Sequence, residues 1–84
     1  MSSTVKLTVL YFAALREQAG KESETLSTAA PVDAAALYAR LAQQYGFTLP
    51  QNRLRAAVNH DFCDWQQTLA NGDTVAFIPP IAGG

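Results

Sequence analysis

Few residues of this 84-residue chain are equipped for acid–base or nucleophilic work. It holds a single histidine, His60, a single cysteine, Cys63, and no glycine-rich phosphate loop of the strand–GxxxxGK–helix type. The two residues share one segment, His60-Asp61-Phe62-Cys63-Asp64, which brings three kinds of potential metal ligand together. A structural metal site takes about four ligands, and nothing else in the chain completes a set. The segment therefore reads as a hairpin turn with a half-buried Cys63, and no metal site is expected. A lone thiol is more often a small buried hydrophobe than a nucleophile. Trp65 is a core aromatic or a partner anchor, and small domains favour the core.

The chain's end carries more information: Phe77-Ile78-Pro79-Pro80-Ile81-Ala82-Gly83-Gly84. An apolar run gives way to two prolines, which stiffen the chain and project its last residues. Residues 79–84 can span about 20 Å when extended. Gly83 and Gly84 have no side chains, so they can thread a narrow channel and present the terminal carboxylate to another protein. Glycine loses more freedom than any other residue on being fixed. Such a tail is useful only where close backbone approach is required. The working atom would then be the carboxylate of Gly84, which would account for the lack of a catalytic side-chain set.

A folded body must hold this tail. Val5, Leu7, Val9 and Tyr11 alternate with Lys6 and Thr8, predicting a strand over 5–12. Residues 13–19 are good helix formers stopped by Gly20, and 22–27 predict a short return strand. The main helix is predicted over Ala34–Tyr45. Asp33 caps it, Ala34, Leu37, Tyr38, Leu41, Ala42 and Tyr45 form one apolar stripe, and Gly46 ends it. A strand over 55–59 comes next, then the hairpin at His60 and Asp61. The Asn71-Gly72-Asp73 turn precedes a last strand over Thr74–Ile78, which the prolines terminate. The stretch 47–53 gives no readable signal. One apolar helical stripe needs one apolar sheet face. The expectation is an α+β fold, a mixed sheet packed on one main helix in the β-grasp, or ubiquitin-like, arrangement. Residues 1–78 form that domain and 79–84 a flexible tail.

Composition excludes several function classes. Apolar residues make up 49% and charged residues 15%, which is too hydrophobic for intrinsic disorder. A net charge of −1 without a basic stripe argues against nucleic acid. The longest unbroken apolar run, 9–15, is too short for a membrane span. A secretory leader is rejected, because Thr8 interrupts the stretch after Lys6 and cleavage would remove a core strand. One cysteine excludes a disulfide framework and suits a reducing, cytoplasmic setting.

Alternation also predicts a second apolar surface. Val75 and Phe77 face the helix, leaving Thr74, Ala76 and Ile78 outward, with Leu10 and Phe12 outward on the first strand and Phe62 on the hairpin edge. Either the loop after Phe12 covers this cluster or a partner does.

Several segments together resemble one family. They are Phe12-Ala13-Ala14-Leu15-Arg16-Glu17-Gln18-Ala19-Gly20, Ala57-Val58-Asn59, Asn71-Gly72-Asp73 with Val75, and Pro79-Pro80-Ile81-Ala82-Gly83-Gly84. The resemblance is to the small, sulfur-carrier subunits of molybdopterin synthase, over nearly the whole chain. Ile81 stands where the family often has valine. The resemblance implies a carrier without a catalytic pocket of its own, working in a heterotetrameric synthase. A ubiquitin-activating-like adenylyltransferase, holding ATP and Mg²⁺ in its own site, would adenylate Gly84. A sulfur donor would then replace AMP to leave a thiocarboxylate. The tail of Pro80, Ile81, Ala82, Gly83 and Gly84 would enter the synthase large subunit, where sulfur passes to a pterin precursor for molybdenum cofactor biosynthesis. Phe12, Phe62 and Ile78 fall on family positions that dock the large subunit and the activating enzyme. This chain would bind no cofactor of its own. Two alternatives stay open: a related β-grasp carrier or modifier serving thiamine, tRNA thiolation or cysteine synthesis, and an interaction domain whose Gly-Gly end is incidental.

Overall fold

A computed structural model describes residues 3–80. The first strand, β1 (Thr4–Tyr11), buries Val5, Leu7, Val9 and Tyr11 on one face while Thr4 and Lys6 stay in solvent. It is followed by a short helix α1 (Ala14–Ala19), strand β2 (Ser23–Ala29), the main helix α2 (Ala34–Tyr45), a single 3₁₀ turn (Gln51–Arg53), then β3 (Arg55–Val58), β4 (Asp61–Cys63) and β5 (Thr74–Ile78). The five strands form one sheet in the order β2-β1-β5-β3-β4. The first and last strands in sequence run parallel at its centre, with Val9 beside Val75, and the other pairings are antiparallel. This is the expected α+β β-grasp arrangement.

The α2 helix forms for local reasons. The Asp33 carboxylate accepts from the Ala36 amide at 2.8 Å, satisfying one orphan donor of the first turn. At the other end Gly46 adopts φ 71°, a left-handed conformation that glycine enters without steric cost, and its amide closes on the Ala42 carbonyl. Between the caps, Ala34, Leu37, Tyr38 and Leu41 are buried against the sheet, whereas Arg40, Gln43 and Gln44 are exposed. The core closes around Leu7, Val9, Leu15, Leu37, Leu41, Val75 and Phe77, all essentially inaccessible.

Several boundaries differ from the sequence reading. The first strand stops at Tyr11, so Phe12 lies beyond the ladder. Ala13 turns the chain there, at φ 52° and ψ −124°, and the Phe12 carbonyl accepts from the Leu15 amide at 3.1 Å. The second strand reaches Ala29, two residues past the expected end, because Ala29 still pairs with Thr4. Asn59 belongs to the hairpin turn instead of to β3, with φ 53°. The unread stretch 47–53 also proves to be structural. Phe47 and Leu49 pack on the core, and the Tyr38 hydroxyl donates to the Leu49 carbonyl. Trp65 joins them as core aromatic, its indole stacked on Phe77 at 5.8 Å and edge-on to Tyr38. Among the described residues no helix is long and apolar enough to cross a membrane.

Candidate functional site

The face of the sheet opposite α2 is built by strand alternation. Two rows run across it. Leu10 pairs with Ala76, Ala76 with Ala57 and Ala57 with Phe62, crossing β1, β5, β3 and β4. One step along, Ile78 lies opposite Arg55, and Phe12 follows Tyr11, the partner of Phe77. The result is a shallow groove of about 180 Å³ walled by Leu10, Phe12, Ala57, Phe62, Ala76 and Ile78 and rimmed by His60 and Thr74. Phe12 is 43% exposed and Phe62 58%, and among the described residues these are the large apolar side chains left most open. The loop after Phe12 does not cover the cluster. Ala76, expected to point outward, does so but is nearly enclosed by its neighbours, which makes it the floor of the groove.

Two turns hold the exposed aromatics in place. Phe12 is set by the Ala13 turn, which α1 anchors through the fully buried Leu15. Phe62 is set by the β3–β4 hairpin, whose two central residues, Asn59 and His60, both have positive φ (53° and 76°), the signature of a type I′ turn. Asn59 ties that turn to the start of β5. Its side-chain carbonyl accepts from the Thr74 amide and its amide group donates to Asp73, both at 3.0 Å. The other Asp73 oxygen accepts from the Ala70 amide at 2.7 Å. Arg55 lies over the Phe62 ring, 4.0 Å from its centroid.

Behind Phe12, on the helix side, lies a polar clasp that no local sequence pattern announces. The hydroxyls of Tyr11 and Tyr45 both donate to one Glu24 oxygen at 2.5 Å, and Lys21 stands 3.8 Å from the other. Burial alone would raise the Glu24 carboxyl, but the two hydroxyls and Lys21 outweigh it and hold the group below its usual range. Tyr11 is pushed well above the ordinary tyrosine range, first by burial and then by its hydrogen bond to Glu24. The clasp joins β1, β2 and the end of α2, fixing the strand end from which Phe12 projects.

Of the residues singled out from sequence, Phe12, Phe62 and Ile78 share the open face. Pro80 is exposed just past β5, and Ile81, Ala82, Gly83 and Gly84 lie outside the described residues. Cys63 ends β4 across from Ala56, half-buried against the core. Burial, and then the charge of Asp64, push its thiol upward, so it is protonated at neutral pH and a poor nucleophile. No group of three or more potential metal ligands converges among the described residues.

A family model, that of the ThiS family, matches residues 9–84. The molybdopterin synthase sulfur carrier subunit of Escherichia coli (strain K12) is 35% identical over 78 residues, covering 90% of this chain and 96% of the relative. A solved Pyrococcus furiosus structure, assigned as molybdopterin converting factor subunit 1, superposes with a TM-score of 0.79 at 26% identity, over 92% of this chain and 99% of that one. A Helicobacter pylori complex of subunits 1 and 2 of molybdopterin-converting factor contributes a chain with the same fold, at TM-score 0.68 and 22% identity, covering 95% of this chain and all of that one.

Proposed function

The chain belongs to the ThiS family, together with the sulfur carrier subunits of molybdopterin synthase, and from that premise we propose that it carries sulfur on its own C-terminal carboxylate. The observation that carries this reading is the position of the tail's root. Ile78, the last residue of β5, is at once a wall of the open apolar groove and the residue from which Pro79 and Pro80 depart. A partner docked on that face sits beside the end of β5, from which the chain leads on through Pro79 and Pro80. Phe12, Phe62 and Ile78 are the docking residues in this reading, Pro80, Ile81, Ala82 and Gly83 the threaded segment, and Gly84 the reacting group.

The chemistry stems from the carboxylate. It is a poor electrophile until a leaving group is attached. The Gly84 carboxylate attacks the α-phosphorus of ATP held by an activating enzyme, releasing pyrophosphate and forming an acyl adenylate. Sulfide delivered by a sulfur donor then adds at the carbonyl carbon and expels AMP, leaving the thiocarboxylate. The thiocarboxylate sulfur is a competent nucleophile without help from any cysteine, which suits a chain whose one thiol is half-buried and protonated. Transfer to a pterin precursor takes place in the pocket of the large subunit, the counterpart of subunit 2 in the Helicobacter pylori complex.

The test is intact-mass spectrometry of the chain after incubation with activating enzyme, ATP and a sulfur source. The expected product has one oxygen replaced by one sulfur, mapped to Gly84. Adding one residue after Gly84 moves the carboxylate by about 3.5 Å, beyond near-attack geometry, so the extended chain should stay unmodified while folding normally. Normal sulfur loading of the extended chain, or sulfur found on Cys63, refutes the mechanism.

A further inference from the structure

A charged side chain, Arg55, borders the apolar side chains of the open face. Arg55 is exposed on β3, between Ile78, its register partner on β5, and Phe62 on β4. Two of the other three arginines have polar partners within the chain: Arg16 pairs with Glu22 at 3.6 Å, and Arg40 donates to the Ser27 carbonyl at 3.3 Å. The ion pairs among the described residues are Arg16–Glu22 and Lys21–Glu24, so Arg55 has no carboxylate within ion-pair distance among them. Its guanidinium is nevertheless held. Its Cζ lies over the Phe62 ring, 4.0 Å from the centroid, a cation–π contact that uses none of the N–H donors as hydrogen bonds to an acceptor.

This arrangement constrains whatever covers the face. A surface that buries Phe12, Ile78 and Phe62 also takes water away from the guanidinium between them. Arginine cannot shed its proton, so the charge must be met or it opposes binding. The planar donor fork matches a carboxylate in two-point geometry. We infer that the partner docking on the open face presents an acidic side chain to Arg55, forming an ion pair at the edge of an otherwise apolar interface. The inference rests on the docking reading above and adds the partner's chemistry to it. The pair selects among partners, because an apolar surface of the same shape without the carboxylate leaves Arg55 buried and unmet.

Calorimetric titration of the full chain with its cognate large subunit, at several salt concentrations, tests this. Arg55→Met keeps the length and apolar bulk of the side chain and removes the charge. It should leave the melting temperature in place, weaken binding by about tenfold or more, and flatten the salt dependence of Kd. Arg55→Lys, with a charge but no planar fork, should fall between Arg55→Met and the unaltered chain. Arg55→Glu should bind more weakly than either. Unchanged or tighter binding by Arg55→Met overturns the inference, and means that the guanidinium only shields Phe62 in the free chain. Phe12→Ala separates the two levels. If it weakens binding while Arg55→Met does not, the carboxylate inference alone fails. If neither changes binding, the docking reading fails first.

Discussion

Phe77 and Ile78 are neighbours in one strand and belong to different worlds. Phe77 is fully buried, with Tyr38 edge-on at 5.1 Å and Trp65 stacked at 5.8 Å. Ile78, turned to the other side of the pleat, walls an open groove. The sheet therefore has two apolar faces, and only one of them has its cover within the described chain. Helix α2 and the aromatic cluster finish the inner face, whereas the outer face ends in two exposed phenylalanines. A domain this small has little apolar area to spare, burying roughly 60% of its unfolded surface. Leaving such a patch open weakens the free chain, and in the docking reading proposed above that area is recovered on binding.

This difference between faces is broken most forcefully from the inside. Phe77→Ala should cost about 3–5 kcal/mol, a large part of the stability of a domain of this size, and a urea titration should show it directly. Ile78→Ala, one residue on, should cost no more than about 1 kcal/mol. It should instead weaken large-subunit binding by about tenfold or more, as loss of a central apolar anchor does. If Ile78→Ala destabilises as much as Phe77→Ala, or leaves binding untouched, the two faces are not functionally distinct.

How much of this was legible depends on the range of the interactions. Helix α2 was readable to the residue, because its cap, stripe and stop are all local: Asp33, the Leu37–Tyr38–Leu41 series and Gly46. The last strand was readable because a turn and two prolines bracket it, and its parity then placed Ile78 outward. Phe12 and Phe62 reach the same face by the same counting. Strand ends were less certain, since the extent of β2 depends on where β1 stops pairing. The Glu24 clasp was invisible. It joins residues 13 and 21 positions apart, and neither Tyr11 nor Tyr45 differs in sequence from an ordinary core aromatic. Phe47 and Leu49 obey no period at all, and the Arg55–Phe62 contact exists only once the hairpin register is set. The most specific signal in the sequence, the Pro-Pro-x-x-Gly-Gly ending over 79–84, has its last four residues outside the described structure.

The clasp offers a finer probe, because it is the polar exception on the buried face. Glu24 has its carboxyl lowered relative to the unfolded chain. Its contribution is therefore complete above the ordinary carboxylate pKa of 4.5 and is lost as pH falls through the folded value. Tyr11 shifts the opposite way. Its contribution is complete below the ordinary tyrosine value of 10.0 and declines as pH rises beyond it. Melting temperature against pH should thus fall at both the acid and the alkaline end. Glu24→Gln should shallow the acid limb, and Tyr11→Phe the alkaline one. An acid limb unchanged in Glu24→Gln would remove the clasp from the account of stability.

The smallest expected effect lies at the outer face, at Ala13. Its φ of 52° and ψ of −124° match the first central position of a type II′ turn, and the hydrogen bond from the Leu15 amide to the Phe12 carbonyl closes that turn. Glycine is the usual residue there, because a Cβ crowds the backbone at positive φ. Strain of this kind is worth about 1 kcal/mol or more, set against the extra freedom glycine gives the unfolded chain. Ala13→Gly should therefore raise the melting temperature slightly or leave it unchanged. The comparison of faces is sharpened by what happens to binding. Alanine confines the turn to a narrow set of conformations, and with it the direction of Phe12; glycine releases both. Large-subunit affinity should then fall, by about two- to fivefold on the scale of ordering one side chain, while stability does not. Ala13→D-alanine, installed by chemical synthesis, favours positive φ without strain and should restore the affinity. If glycine binds as tightly as alanine, Phe12 is directed by the packing of Leu15 alone and the turn residue has no part in docking.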